Sequence, residues 1–123
     1  MGNLLPKRDF TYVEDTCSAF EKLLKFNSRF GEIINIGSDN IISIKELVTK
    51  IKKKMKSNVK IISTKERIRK KKTEVNYLRC NNTKAKKLLN WKPKYNFDKG
   101  LDMTIDWFYK NYEKYSDTKN YKK

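Results

Sequence analysis

The chain has 123 residues, of which 37% are hydrophobic and 36% charged, and its formal net charge is +16. Its length predicts a single domain. Because it contains no histidine, Ser-His-Asp and Cys-His catalytic arrangements are excluded, and two cysteines without a Cys-x-x-Cys pattern argue against a zinc site.

The first third of the chain predicts a strand, a helix and a second strand. Residues 9–13 (DFTYV) carry β-favouring side chains in an alternating pattern, which is typical of a short strand. Apolar residues at three- and four-residue spacing then predict an amphipathic helix that ends near Asn27. Residues 32–36 (EIINI) predict a second strand, and the GSDN sequence after it is typical of a turn.

The middle of the chain predicts a second helix and a third strand. Ser43 followed by Glu46 has the sequence pattern of a capping box, so a helix is predicted to begin there. Residues 59–62 (VKII) predict a strand, residues 64–74 a polar loop, and residues 75–80 (VNYLRC) an extended segment.

The last part of the chain predicts two more helices. Asn82 or Thr83 is expected to cap a short helix that ends before Pro93, and residues 98–112 predict a longer helix. The polar residues 115–123 are expected to form a frayed tail.

The order of these elements indicates an α/β fold, in which residues 1–114 form a small mixed sheet with flanking helices. Basic residues occur in every segment without a nucleic-acid-binding motif, so a surface composition bias is favoured over a nucleic-acid or membrane partner. Cys17 and Cys80 are expected to be buried or half-buried thiols in a reducing compartment. The N-terminus has no long apolar run, so we expect no signal peptide or membrane span and predict a cytoplasmic protein.

No residue forms a convincing catalytic or cofactor-binding centre. The glycine-rich phosphate loops GxGxxG and GxxxxGK[ST] do not occur in the sequence. Several carboxylates lie outside apolar stretches, so each is expected to cap a backbone segment or face solvent. They are Glu14, Asp15, Glu66, Glu74, Asp98, Asp102 and Asp106.

Arginines are stronger candidates for a binding site. Arg8 precedes a predicted strand, while Arg67 and Arg69 lie in the polar loop. Because a guanidinium group presents a planar fork that matches phosphate oxygens, these positions could clamp a diphosphate between them. The alternatives are a surface Arg8 paired with Asp9, and loop arginines that are simply solvated.

Three stretches of the chain together resemble a known family. They are RDFTYVEDTCSAF (8–20), GEIINIGSDNIISIKELVTKI (31–51) and ERIRKKKTEVNYLRCNNTKAKKLLNWKPKYNFDKGLDMTIDWF (66–108). In order and spacing they are similar to the C-terminal part of the extended short-chain dehydrogenases/reductases, the NAD-dependent nucleotide-sugar epimerases and dehydratases. The third stretch looks most like the sugar-nucleotide 4,6-dehydratase branch.

The resemblance implies that a complete enzyme has two parts. In the family, an N-terminal Rossmann domain binds NAD(P) through a glycine-rich loop and supplies a catalytic Tyr-x-x-x-Lys pair, while the C-terminal part binds the nucleotide-sugar. Arg8 matches the family arginine that contacts the substrate's diphosphate or nucleotide. Arg69, with Arg67 as the neighbouring candidate, matches a second diphosphate-binding arginine, although Lys70 stands where the family usually has proline.

By this resemblance the chain is a substrate-binding portion without the Rossmann cofactor half, with no catalytic residue and no bound cofactor. Tyr95 and Lys99 formally match Tyr-x-x-x-Lys, but they lie in the carboxyl-end segment, where no catalytic role is expected. The expected partners are a nucleotide-sugar and either a separate Rossmann half or a second copy of the chain. Four aromatic side chains are expected to be exposed for lack of that half: Phe10, Tyr12, Phe30 and Trp107. Two other hypotheses stay open, a stand-alone basic nucleic-acid-binding module and a non-functional gene remnant.

Overall fold

A computed structural model describes residues 1–28, 31–64 and 74–116, with side chains up to residue 114. Within these ranges the elements are β1 (Lys7–Asp9), α1 (Val13–Leu24), β2 (Ile41–Ser43), α2 (Ile44–Lys54), β3 (Tyr77–Leu78), α3 (Thr83–Leu89), α4 (Phe97–Lys110) and α5 (Tyr112–Ser116). The predicted α/β class, a small mixed sheet with flanking helices, is confirmed. The predicted boundary between domain and tail falls within α5, and residues 117–123 lie outside the described ranges.

In the described part of the chain the sheet has three strands, in the order β2-β1-β3. Strand β1 pairs antiparallel with β2 and parallel with β3. Arg8 is the central residue of the central strand, opposite Ile42 on one side and Leu78 on the other. The backbone of Arg8 is therefore held from both sides, and its side chain starts from a fixed position.

The predicted strand at residues 9–13 is wrong. Strand β1 ends at Asp9, and the chain turns into α1 because the Tyr12 carbonyl accepts hydrogen bonds from the amides of Asp15 (3.0 Å) and Thr16 (3.4 Å). The predicted strands at residues 32–36 and 59–62 are also not strands in the described part of the chain. A strand requires a hydrogen-bonded neighbour, which an alternating sequence does not supply.

The capping box at the start of α2 is confirmed. The Ser43 hydroxyl oxygen accepts the Glu46 amide at 3.1 Å, and the Glu46 carboxylate accepts the Ser43 amide at 2.7 Å. Strand β2 therefore runs directly into α2 without a loop.

The hydrophobic core is small and lies between α1, α3 and the segment after α3. Its buried members are Ala19, Ala85, Leu89 and Trp91. The Trp91 indole donates hydrogen bonds to the Ser18 hydroxyl (2.9 Å) and to the Asp15 carbonyl (3.2 Å). One aromatic residue thereby fixes the segment after α3 onto α1, and its polar N–H is satisfied.

Asp15 caps a backbone segment, one of the two expected roles, and it is only 1% exposed rather than solvated. Its carboxylate oxygens accept the backbone amides of Lys94 (2.7 Å) and Tyr95 (3.2 Å). The carboxylate therefore caps a distant loop, the one that leads into α4. The expectation that Cys17 is buried or half-buried is wrong, because its side chain is exposed. Cys80 is half-buried as expected, and both cysteines are free thiols.

The predicted exposure of aromatic side chains is met in part. Trp107 is 47% exposed. The Phe10 ring packs edge-on against Phe97 and the Tyr12 ring against Tyr95, with centroid distances of 6.0 and 5.0 Å, so both are half-buried. The fourth residue of the prediction, Phe30, lies outside the described residues.

Candidate functional site

The Arg8 side chain is the centre of the candidate site. Its guanidinium donates to the Lys7 carbonyl at 2.9 Å and lies 3.6 Å from the Glu74 carboxylate. The Arg8 and Glu74 side chains are 25% and 12% exposed. A partly buried guanidinium binds anions more strongly than an exposed one, because less solvent screens the charge.

The alternative in which Arg8 pairs with Asp9 is wrong, because the Asp9 carboxylate faces other partners. One oxygen accepts the Ser38 amide at 3.0 Å and the Ser38 hydroxyl, and the other accepts the amides of Asp39 (2.9 Å) and Cys80 (3.1 Å). Asp9 thus ties β1 to the turn before β2 and to the segment after β3. This network fixes the strand that carries Arg8.

Tight packing surrounds this network. A Cβ atom on Gly37 would lie 2.3 Å from the Cβ of Cys80, so the position requires glycine. Asp39 has a φ of 63°, in the left-handed region that aspartate tolerates. The Asp39 carboxylate accepts the Arg79 guanidinium at 2.8 Å and raises the pKa of Arg79. Burial, reinforced by the charges of Asp9 and Asp39, raises the pKa of the Cys80 thiol.

Sequence reasoning singled out Arg8 but missed its partners. The sequence predicts that Glu74 caps a backbone segment or faces solvent, and it offers Asp9 only as a surface partner of Arg8. The GSDN turn gave a signal for the Asp9 network, since its amides need acceptors, but the sequence does not say which carboxylate supplies them. The loop arginines Arg67 and Arg69 lie outside the described residues, so their approach to Arg8 stays a prediction.

Tyr95 has an environment opposite to that of a catalytic tyrosinate. Its hydroxyl donates to the Glu14 carboxylate at 2.6 Å, and this hydrogen bond is the largest cause that raises the pKa of Tyr95. A general base of the Tyr-x-x-x-Lys type requires a tyrosine that loses its proton easily. The geometry therefore gives no support for Tyr95 as a base.

Other kinds of site find little support in the described ranges. No group of three or more His, Cys, Asp or Glu side chains there could hold a metal ion. None of the helices described is long and apolar enough to cross a membrane.

An apolar groove of about 380 Å³ lies between α2 and α4, lined by Ile51, Met55 and Ile105 among others, and Arg8 is not part of it. We place the candidate site at Arg8 because the groove offers almost no polar group to orient a ligand.

The family model for GDP-mannose 4,6 dehydratase matches residues 1–104 of the chain. The chain belongs to the nucleotide-sugar epimerase/dehydratase family of extended short-chain dehydrogenases/reductases. A curated family member, UDP-glucuronate 4-epimerase of Thermodesulfobacterium geofontis, is 33% identical over 113 residues, which is 91% of this chain and 33% of that protein. The family resemblance of the sequence is thereby confirmed.

Solved structures of family members have the same fold over this region. UDP-glucose 4-epimerase of Thermotoga maritima, solved with UDP-glucose, has a TM-score of 0.80 at 26% identity, covering 91% of this chain and 34% of that one. dTDP-glucose 4,6-dehydratase of Bacillus anthracis, solved with NAD, has a TM-score of 0.72 at 34% identity, again covering 91% and 34%. An epimerase of Methanothermobacter thermautotrophicus has a TM-score of 0.82 at 26% identity, covering 92% and 33%.

The chain spans about a third of the length of these family members, 33% of the curated epimerase and 34% of the dehydratase chain. The family uses NAD, as the dehydratase complex illustrates. The present chain has only four glycines, without GxGxxG spacing, so its residues do not provide the loop that holds a dinucleotide pyrophosphate.

Proposed function

We propose that this chain is the nucleotide-sugar-binding portion of an NAD(P)-dependent nucleotide-sugar epimerase or 4,6-dehydratase, and that Arg8 binds the diphosphate. Alone it binds no cofactor, has no catalytic residue and is inactive, because hydride and proton transfer belong to the part of the enzyme that it does not match. The observation that carries the proposal is the Arg8 guanidinium, which is only 25% exposed and anchored at the centre of the sheet. The UDP-glucose bound in the similar Thermotoga epimerase supports the ligand class.

The geometry of Arg8 suggests how a diphosphate would be bound. At 3.6 Å, the contact with Glu74 is an ion pair beyond ordinary hydrogen-bond length, so guanidinium N–H groups stay available to a second acceptor. A diphosphate offers two or more oxygens to the planar fork, which a single carboxylate 3.6 Å away does not engage. Arg69, or Arg67 beside it, is proposed to contact the same diphosphate from the loop. Each charge-assisted contact contributes roughly 1.5–3 kcal/mol to binding.

Calorimetric titration of the chain with UDP-glucose, dTDP-glucose and GDP-mannose tests this function. Arg8→Ala is expected to weaken binding of the preferred ligand by roughly tenfold to a hundredfold. Arg79→Ala is the matched control, since it removes the same charge from a half-exposed arginine that pairs with Asp39. Unchanged affinity in Arg8→Ala, with an unchanged far-UV spectrum, contradicts the role of Arg8.

The net charge of +16 supports one alternative, a nucleic-acid-binding module. Its binding to a duplex would fall steeply with the logarithm of salt concentration, and nucleotide-sugars at equal ionic strength would not compete. Such a result replaces the proposed function. A folded chain that binds neither nucleotide-sugars nor nucleic acid favours the gene-remnant hypothesis instead.

A further inference from the structure

The apolar groove between α2 and α4, which we call the α2–α4 groove, takes no part in the proposed function. Most of its wall is aliphatic or aromatic, including Ile51, Met55, Ile105, Phe108, Tyr109 and Tyr112. The hydroxyl of Thr104, which also lines it, already donates to the Gly100 carbonyl at 2.8 Å. Such a wall suits hydrocarbon, which needs no hydrogen-bond partner.

Helix α4 extends past the end of α2 and leaves this groove open at one end. The ion pairs Lys50–Asp98 (2.8 Å) and Lys54–Asp102 (2.5 Å) join successive turns of the two helices, which therefore run side by side in the same direction. Helix α2 ends at Lys54, whereas α4 continues for about two turns beyond Asp102.

Apolar side chains at this open end are exposed to solvent. Met55, which follows α2, is 42% exposed, and Phe108 near the end of α4 is 55% exposed. Tyr109 and Tyr112 are 60% and 68% exposed. Tyrosine combines an apolar ring with a polar hydroxyl, so it is suited to the boundary between hydrocarbon and water.

Lysines surround the apolar face of α2. Six of the eleven residues from 50 to 60 are lysine and none is acidic. At about 100° per residue, Lys52 lies about 100° to one side of Ile51 and Lys54 about 60° to the other. Long lysine stems at the flanks of an apolar helix face can extend their ammonium groups to lipid phosphates.

The charges at the open end are mostly positive. Lys50 and Lys54 are paired with aspartates of α4, which leaves Lys52, Lys53, Lys56 and Lys60 on the α2 side. The last turns of α4 and α5 add two lysines and two carboxylates, at positions 110, 114, 106 and 113. A lysine cluster on an amphipathic helix is typical of a surface that binds anionic lipid headgroups.

We propose that the open end of the α2–α4 groove docks on the surface of an anionic lipid bilayer. Phe108, Tyr112 and Met55 enter the boundary of the acyl chains, and the lysines after Ile51 contact the headgroup phosphates. The even spread of basic residues along the sequence favours a composition bias instead, but the structure places part of them beside exposed aromatic side chains. A second copy of the chain is disfavoured as the occupant, because it would bring the same lysines.

Co-sedimentation with lipid vesicles tests the proposal. Vesicles of phosphatidylcholine with phosphatidylglycerol are expected to bind the chain, whereas vesicles of phosphatidylcholine alone are not. Trp107 reports insertion, because its ring lies 5.2 Å from that of Phe108 and is 47% exposed, whereas Trp91 is 1% exposed. Bromine-labelled acyl chains are therefore expected to quench the tryptophan fluorescence of the bound chain.

Variants separate insertion from attraction by net charge. Phe108→Ser and Tyr112→Ser keep the charge and are each expected to weaken vesicle binding by about tenfold. Phe20→Ser and Leu24→Ser are matched controls on α1, where the side chains are 63% and 88% exposed, and are expected to bind like the unmodified chain.

Lysine variants test the headgroup contact. Lys53→Gln and Lys56→Gln are each expected to weaken binding by about fivefold. Lys87→Gln, at an exposed position of α3, removes the same charge away from the groove and is expected to have a much smaller effect.

Four results overturn the proposal: no vesicle binding, equal binding to both kinds of vesicle, a homodimer that the serine variants at 108 and 112 abolish, and binding that these variants retain without quenching. The last result would show that net charge alone attracts the chain. The outcome is separable from the proposed function, because Arg8→Ala is expected to weaken nucleotide-sugar binding and leave vesicle binding intact. Phe108→Ser is expected to do the reverse.

Discussion

Asp15 shows how much one residue contributes to positioning in this chain. Its carboxylate is 1% exposed and holds the backbone of Lys94 and Tyr95, while its carbonyl accepts the Trp91 indole. Asp15 of α1 thus accepts three hydrogen bonds that fix the segment leading into α4. A buried carboxylate of this kind is stabilising only while its acceptor bonds are made.

Asp15→Asn is expected to destabilise the chain by about 1–3 kcal/mol, because the amide presents an N–H group where the loop requires an acceptor. The free energy of unfolding from urea titration measures this loss. Asp106→Asn, on an exposed position of α4, is expected to change the free energy by less than about 0.5 kcal/mol. Equal effects of the two substitutions contradict the role given to Asp15.

At the candidate site, the sequence reveals the binding residue but not the contacts that hold it in place. The sequence alone identifies Arg8 as a candidate, because its motif is local and its guanidinium chemistry is distinctive. The partners of Asp9 lie 29 to 71 positions away along the chain, at Ser38, Asp39 and Cys80. Such contacts depend on the packed fold, so a carboxylate in a polar stretch gives no sign of them.

At the scale of elements, local signals succeeded and non-local signals failed. The capping box of α2 was predicted because both partners lie within one helical turn. Residues 32–36 have a strand sequence and an alternating exposure, but no neighbour among the described residues pairs with them. The strand predicted at residues 9–13 is wrong for another reason, since Tyr12 caps the start of α1 within the alternating pattern.

Ser43→Ala is expected to destabilise the chain by about 1 kcal/mol, because the Glu46 amide at the start of α2 loses its acceptor. Ser57→Ala is a control after the end of α2, since the substitution keeps the Ser57 backbone amide, which donates to the Lys52 carbonyl at 3.0 Å, and removes a hydroxyl that accepts no amide of the helix. Chemical denaturation of both variants measures the difference. A loss of stability in Ser57→Ala as large as in Ser43→Ala would show that the hydroxyl at the cap has no special role.

The capping box also predicts a pH dependence. The Ser43 backbone amide is the first cause that lowers the pKa of Glu46 below its usual 4.5. A folded-state pKa below the unfolded value stabilises the fold above the unfolded pKa, and this contribution disappears as pH falls through the folded pKa. The difference in melting temperature between the unmodified chain and Glu46→Gln is therefore expected to be largest near about pH 7 and to shrink as pH falls below 4.5 and through the folded pKa. A constant difference across this range contradicts the assignment.

At the scale of the whole molecule, the balance of core and charge predicts marginal stability. The buried hydrophobic residues in the described ranges are two alanines, one leucine and one tryptophan, and the net charge of +16 adds self-repulsion. We expect the isolated chain to melt below about 60 °C. Melting should shift upward when sodium chloride is raised from about 0.05 to about 0.5 M, because salt screens the repulsion. Circular dichroism with sedimentation equilibrium measures both effects. A monodisperse monomer that melts cooperatively above about 60 °C in low salt would show that this small core suffices without a partner.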